Sequence, residues 1–279
     1  MIPRRTFLTG AAAGLAGWLP RFRAGAPRIR VSCCHTDFAD AKKSGLDGVE
    51  LSVGGPAEKL RIADPEYRAK VKEQMKETGL ATSSFMMGLF NSHPLASDPR
   101  GPAWLEQAIE AAKDLGAHTI LVAFFGKGSL KQGKEVKKAD VEVVVERLRA
   151  AAPKAREAGV FLGIENTLSA EQNLEILGRI GHDSVRIYYD CYNLTGEGYD
   201  VPAEIRLLKD RISIFHFKNG PDYLESGKVK WEPIVEAMND IRYEGWIVLE
   251  TSCPSKDRVA DDRKNAEYVR RLFGIGGAR

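Results

Sequence analysis

The sequence predicts an α/β protein of a single domain, a (β/α)8 TIM barrel. Three observations carry that reading. Short apolar runs alternate with longer amphipathic ones across the body of the chain. Several runs are continuous rather than alternating, as in Ile120-Leu121-Val122-Ala123-Phe124-Phe125, which suits parallel strands covered on both faces. Eight such strand–helix units fit in about 250 residues, the size of this fold. An open doubly wound sheet fits less well, because the first strand runs into Cys33-Cys34-His35-Thr36-Asp37 with no glycine-rich phosphate loop.

The strands are expected at Ile29–Cys34, Gly48–Val53, Ala81–Met86, Thr119–Phe125, Val160–Asn166, Val185–Asp190, Ile212–Lys218 and Gly245–Glu250. Between them, Pro65–Thr78 follows Asp64 and stops at Gly79, Pro102–Leu115 stops at Gly116, Ala139–Ala158 at Gly159 and Ala170–Ile180 at Gly181. Pro202–Leu208, Pro233–Asn239 and Asp257–Phe273 complete the set. Proline near the start and glycine just past the end are the expected punctuation of helices.

The chain has 279 residues, 43% hydrophobic and 28% charged, enough to bury a large core. Its net charge of +3 comes from one end. Residues 1–26 hold Arg4, Arg5, Arg21 and Arg23 and no acid, so the rest has 37 basic against 38 acidic residues, a net of −1. A nearly neutral body argues against a nucleic-acid partner, which calls for a basic surface. No run of eighteen apolar residues suggests a stable membrane span.

Residues 1–26 read as an export signal: a charged start, an apolar Gly10–Leu19 stretch and the small-residue site Ala24-Gly25-Ala26. Arg4-Arg5-Thr6-Phe7-Leu8 resembles a twin-arginine signal, which implies a periplasmic or secreted location for the barrel of residues 27–279; without such a signal the location would be cytoplasmic. Cys33, Cys34, Cys191 and Cys253 match no zinc spacing and are expected as free thiols near strand ends.

In a barrel of this kind chemistry sits at the C-terminal strand tips. Four consecutive units place an ionisable group there: Glu165 in Gly163-Ile164-Glu165-Asn166, Asp190 in Tyr188-Tyr189-Asp190, His216 in Phe215-His216-Phe217-Lys218, and Glu250 in Val248-Leu249-Glu250. Neighbouring strands lie about 4.8 Å apart, so the four converge. Ionisable groups flanked by apolar residues are costly to bury unless paired or bound to metal. Three carboxylates and an imidazole suit one divalent ion, Mn²⁺, Mg²⁺, Co²⁺ or Zn²⁺. An internal ion-pair network is the competing explanation.

These segments, together with Ala41–Leu51, Tyr188–Asn193, His216–Asn219 and Leu249–Thr251, resemble the sugar phosphate isomerase/epimerase branch of the xylose isomerase-like barrel superfamily over residues 28–272. The resemblance implies a divalent metal held by Glu165, Asp190, His216 and Glu250. It also implies that Glu165 and Glu250 act as the catalytic acid–base pair of a metal-dependent sugar isomerase or epimerase working through an enediolate. A small carbohydrate is then the substrate, and the loops after the seventh and eighth strands, acidic in one case and glycine-free in the other, point to a non-phosphorylated one. A lyase or hydrolase acting on a keto-sugar would use the same site. An apurinic endonuclease would need more His and Asp ligands than this chain offers, with Asn193 where a His is expected.

Candidate substrate-binding residues are Lys218, two positions past His216, and Asn193, together with His35, Asn91, His93 and Lys127 on the loops after strands one, three and four. Each has a plain alternative: Lys218 as a rim partner of a carboxylate, the others as ordinary loop residues. Glu50, between Val49 and Leu51, reads as an internal salt-bridge partner more than a substrate contact. His118 and His182 precede strands and read as structural, and Trp104, Trp231 and Trp246 as packing residues, with Trp231 also a candidate pocket wall. The sequence leaves the oligomeric state open, a homo-oligomer included.

Overall fold

The computed structural model describes residues 28–275. The export-signal reading falls on residues outside that range. Eight parallel strands, β1 Ile29–Cys33, β2 Gly48–Ser52, β3 Ala81–Met87, β4 Thr119–Ala123, β5 Phe161–Glu165, β6 Val185–Asp190, β7 Ile212–Phe217 and β8 Gly245–Leu249, close into a barrel. Each pairs with its neighbours in sequence, and β8 closes on β1 with Ile29 opposite Gly245 and Cys33 opposite Leu249. The barrel fold is therefore as the sequence predicts.

The surrounding helices are α1 Phe38–Lys43, α2 Pro65–Thr78, α3 Gly101–Leu115, α4 Lys138–Ala158, α5 Ala170–Ile180, α6 Cys191–Gly196, α7 Val201–Leu208, α8 Trp231–Asp240 and α9 Arg258–Leu272. Gly79, Gly116, Gly159 and Gly181 end α2, α3, α4 and α5 in the left-handed conformation, where glycine carries no Cβ penalty. Ser169 and Gln172 form a reciprocal capping box on α5. The sequence reading lacks two short helices, α1 and α6, and a small hairpin of Lys131–Gln132 against Glu135–Val136, all too short to show a period. Observed strands end one or two residues earlier than expected in several places, so Glu250 and Lys218 lie just past β8 and β7 rather than inside them.

Two apolar layers hold the barrel. The larger fills the space between strands and helices, with Phe85, Ile120, Leu162, Phe215 and Trp104 among its members. The smaller lies inside the barrel: Leu121, Ala123, Tyr188, Ile214, Trp246 and Val248. Gly48 shows why size matters there, because a Cβ on it would meet Ala81 O at 2.5 Å and the Trp246 ring at 2.7 Å. Trp246 is a packing residue, as expected. Trp231 is 1% exposed and stacks on Phe217 with ring centroids 4.2 Å apart, so it supports β7 from behind and does not line a pocket.

A candidate metal centre at the C-terminal strand tips

The four expected residues do meet. Glu165 and Asp190 end β5 and β6, His216 is next to last in β7, and Glu250 follows β8. Each offers a donor atom lying within 4.8 Å of those of the others. His216 Nδ1 is 3.3 Å from Glu165 Oε1, 3.4 Å from Glu250 Oε2 and 3.9 Å from Asp190 Oδ2. Glu165, Asp190 and His216 are buried and Glu250 is partly so.

The two Asp190 oxygens are divided between tasks. Asp190 caps α6, its Oδ1 accepting from the Asn193 backbone N–H at 2.7 Å. Its Oδ2 is buried, 2.9 Å from Lys218 Nζ but without an aligned hydrogen bond. A buried carboxylate oxygen in that condition, beside two more carboxylates and an imidazole nitrogen, fits a divalent cation.

Glu50 fixes the imidazole. It is buried inside the barrel on β2 and accepts from Ser84 Oγ at 2.6 Å and Tyr188 OH at 2.8 Å. Its Oε2 lies 3.2 Å from His216 Nε2. With Nε2 turned to Glu50, Nδ1 is directed at the other three carboxylates, the arrangement by which a second carboxylate orients a ligating histidine. The Tyr188 ring packs edge-on to His216 at 4.5 Å. The sequence showed Glu50 as an internal partner; what it did not show is that the partner is His216. Ser84 and Tyr188 were missed, and a polar group in a strand that faces a barrel interior is the signal that would have found them. Cys34, Glu50 and His216 form a second convergent trio on the far side of the imidazole.

The electrostatics follow from crowding of like charges. Burial, with help from Asp190 and Glu250, pushes the Glu165 carboxyl up to about 7 against the pull of His216. Burial also raises Asp190, partly offset by Lys218 and His216. Burial opposes charge on Glu250 too, but His216 and Lys218 outweigh it and hold its carboxyl below the usual range. Burial disfavours the charged forms of His216 and Lys218, yet the surrounding carboxylates lift both above their ordinary values. Lys218 Nζ bridges Asp190 at 2.9 Å and Glu250 at 2.7 Å, so it is the rim partner of two site carboxylates.

The remaining candidates are placed as follows. His35 is exposed after β1, close enough to Glu250 to favour its ionised form. Asn193 sits in the first turn of α6 beside Asp190. Asn91 has its side-chain oxygen accepting from the Phe125 N–H at 3.0 Å, which ties the loop after β3 to that after β4. His93 pairs with Ser92 Oγ and packs edge-on to Trp104. Lys127 is exposed on the turn Gly126–Gly128. Asn91, His93 and Lys127 make no hydrogen bond or ion pair with the four-residue cluster. His118 and His182 bond to Gly159 O and to Ser184 at the strand starts, away from the cluster. All four cysteines are free, as expected.

The family model of the xylose isomerase-like TIM barrel matches residues 38–272. The chain belongs to that family. Among its relatives is an Escherichia coli K12 protein named as a candidate L-ribulose-5-phosphate 3-epimerase, 28% identical, with 75% of this chain and 80% of that protein covered. A D-psicose 3-epimerase of Enterocloster bolteae is 25% identical over 85% of this chain and 92% of its own length. The solved structure of an L-ribulose 3-epimerase superposes with a TM-score of 0.73 at 19% identity, covering 88% of this chain and 95% of the other, a likeness of fold. All three are named for sugar 3-epimerase activity.

Proposed function

We propose that this member of the family is a divalent-metal-dependent sugar epimerase or isomerase acting on a non-phosphorylated sugar. The observation that carries the reading is the pair Glu165 and Glu250, whose carboxylate oxygens stand at 3.3 and 3.4 Å from the same His216 nitrogen at one end of the barrel. Glu165, Asp190, His216 and Glu250 are the residues that would hold the ion, be it Mn²⁺, Mg²⁺, Co²⁺ or Zn²⁺. Such an ion, when bound, polarises a carbonyl and lowers the cost of the enediolate. Glu165 and Glu250 come from strands three apart around the barrel, so they approach a sugar from different sides. One takes the proton from the carbon beside the carbonyl, and the other returns a proton to the opposite face. Lys218 supplies a donor at the rim for a substrate oxygen. His35, Asn193, His93 and Lys127 remain proposed hydroxyl contacts; Asn91 would act through its amide nitrogen, since its oxygen is committed to Phe125.

Support for a non-phosphorylated substrate comes from the loops after β7 and β8. Asn219 spends its side chain bonding Lys228 N, Val229 N and Leu224 O within its own loop, which also carries Asp222 and Glu225. That side chain is committed to the loop itself, and the two acids oppose a phosphate dianion. Relatives include proteins named for phosphorylated and for free sugars, so the substrate assay must contain both.

The test is deuterium uptake from D₂O into matched free and phosphorylated ketoses, with metal analysis of the same samples. Uptake beside the carbonyl of a free ketose is expected. It should fall about 10²- to 10⁴-fold in Glu165→Gln and in Glu250→Gln, the range for losing a general acid or base. Undiminished exchange in both variants, or a preference of more than about tenfold for the phosphorylated ketose, overturns the respective half of the proposal.

We further infer export of the barrel through residues 1–26, on the strength of the arginine pair and the acid-free apolar stretch. Cell fractionation of the wild type and an Arg4→Lys/Arg5→Lys variant checks it. Equal distribution of the two removes the inference.

A further inference from the structure

We propose a second ligand site, for a small phosphate-bearing anion, at the N-terminal mouth of the barrel. A cavity of about 440 Å³ opens there, among the starts of β1, β4, β5, β6, β7 and β8. That volume is within the range of pockets that hold small organic ligands. The wall carries four cations, Arg30, Arg186, Lys209 and Arg242, against two acids, Asp210 and Glu244. An excess of positive charge in a concave site with apolar walls focuses the field on anions.

The two inner guanidiniums are stacked in place. Arg30 lies over the Trp246 ring at 4.0 Å and Arg186 over the Phe161 ring at 3.9 Å, and both rings line the same cavity. Arg186 has Nε on Asp183 O at 3.4 Å, and the two terminal nitrogens of its fork have the geometry that recognises phosphate oxygens in pairs. Burial pushes both arginines below the usual guanidinium value, Asp47 opposing it at Arg30 and Asp210 at Arg186. A bound anion would favour both charges. Thr119 adds a hydroxyl to the wall, whereas that of Ser213 donates to Ile187 O at 3.0 Å.

The backbone places two of the cations. Only three described residues other than glycine have positive φ, and two of them, Lys209 at 50° and Arg242 at 54°, line this cavity. Lys209 caps α7 and Arg242 directly follows the Ile241 cap of α8, and helix ends are where positive φ ordinarily falls. Here it turns two cationic side chains to the same mouth.

The site is separate from the carboxylate cluster. Phe161, Arg186, Ile212 and Trp246 each line the cavity and each precede a cluster residue by four positions along a strand or its immediate continuation, or about 13 Å. A phosphate at the N-terminal mouth therefore does not touch Glu165, Asp190, His216 or Glu250.

The probe is inorganic phosphate, titrated calorimetrically into the whole protein, with glucose 6-phosphate and glucose in parallel. One equivalent of phosphate is expected to bind with a Kd below about 1 mM. It should still bind to a Glu165→Gln/His216→Ala variant, which disables the other mouth. It should weaken at least tenfold in Lys209→Gln/Arg242→Gln, both exposed and tolerant of exchange, and in Arg186→Gln. Tighter binding of glucose 6-phosphate than of phosphate assigns the site to a phosphorylated metabolite, and equal binding to the free ion. Absence of heat up to 10 mM phosphate (on the order of ten times the expected Kd), binding lost with the carboxylate cluster, or binding intact in the Lys209/Arg242 variant each overturns the proposal.

Discussion

The two mouths of the barrel are built from the same strands and are opposite in charge. At the C-terminal mouth Glu165, Asp190 and Glu250 crowd around His216 and Lys218. At the N-terminal mouth Arg30, Arg186, Lys209 and Arg242 surround a cavity. Between them lies the apolar plug of Leu121, Tyr188, Ile214, Trp246 and Val248. The plug fills the barrel with bulky side chains, and about 13 Å of strand separates the two groups of charge. The difference also shows what each mouth is made of. The acidic groups stand on strand tips braced by hydrogen bonds from inside the barrel, whereas the basic ones rest on aromatic faces and on helix ends.

Three substitutions probe that division, in descending order of effect. Trp246→Ala removes the base of the plug and the ring under Arg30. A loss of about 3–5 kcal/mol of stability is expected, as for large-to-small changes at buried aromatics, read from chemical denaturation. Ion stoichiometry at the other mouth should survive in the fraction that stays folded; its loss would mean the two mouths are not independent. Glu50→Gln keeps the shape but removes the charge facing His216 Nε2. Metal affinity is expected to fall about 10–100-fold, in line with other second-carboxylate replacements, with little change in melting temperature. Unchanged affinity would show that the Glu50 charge does not position the imidazole. Asp257→Ala removes the side chain that caps α9 through the Ala260 N–H at 3.0 Å, outside both mouths. A loss of about 1 kcal/mol, or a fall of about 2–4 °C in Tm, is expected with both sites unaffected.

The barrel was legible because its strands are buried on both faces and its longer helices end at glycines, signals that survive without any tertiary knowledge. The four cluster residues were legible for a related reason: a charged group at the end of an apolar run has to be accounted for. Glu50 was harder. Its neighbours Val49 and Leu51 mark it as buried, but the partner is on β7, and a partner five strands on by chain order is set only when the barrel closes. Asn91 was legible only as a loop residue: its amide can serve a sugar or a backbone equally well, and only the approach of Phe125 shows its oxygen committed. The cationic mouth left no trace in the charge pattern, since Arg30 and Arg186 sit second in their strands, where arginine also serves as an ordinary strand flank.

Asp190 ends β6, and Cys191 begins α6 with nothing between. Strand and helix are thus joined without a hinge, through one carboxylate that grips the helix by Oδ1 and faces the cluster by Oδ2. A rigid joint of this kind transmits displacement. At the other end of α6, Glu197 is the cap residue and pairs with Lys131 at 2.6 Å. The hairpin that carries Lys131 therefore braces the far end of the helix that Asp190 caps, although it contributes no atom to the carboxylate cluster.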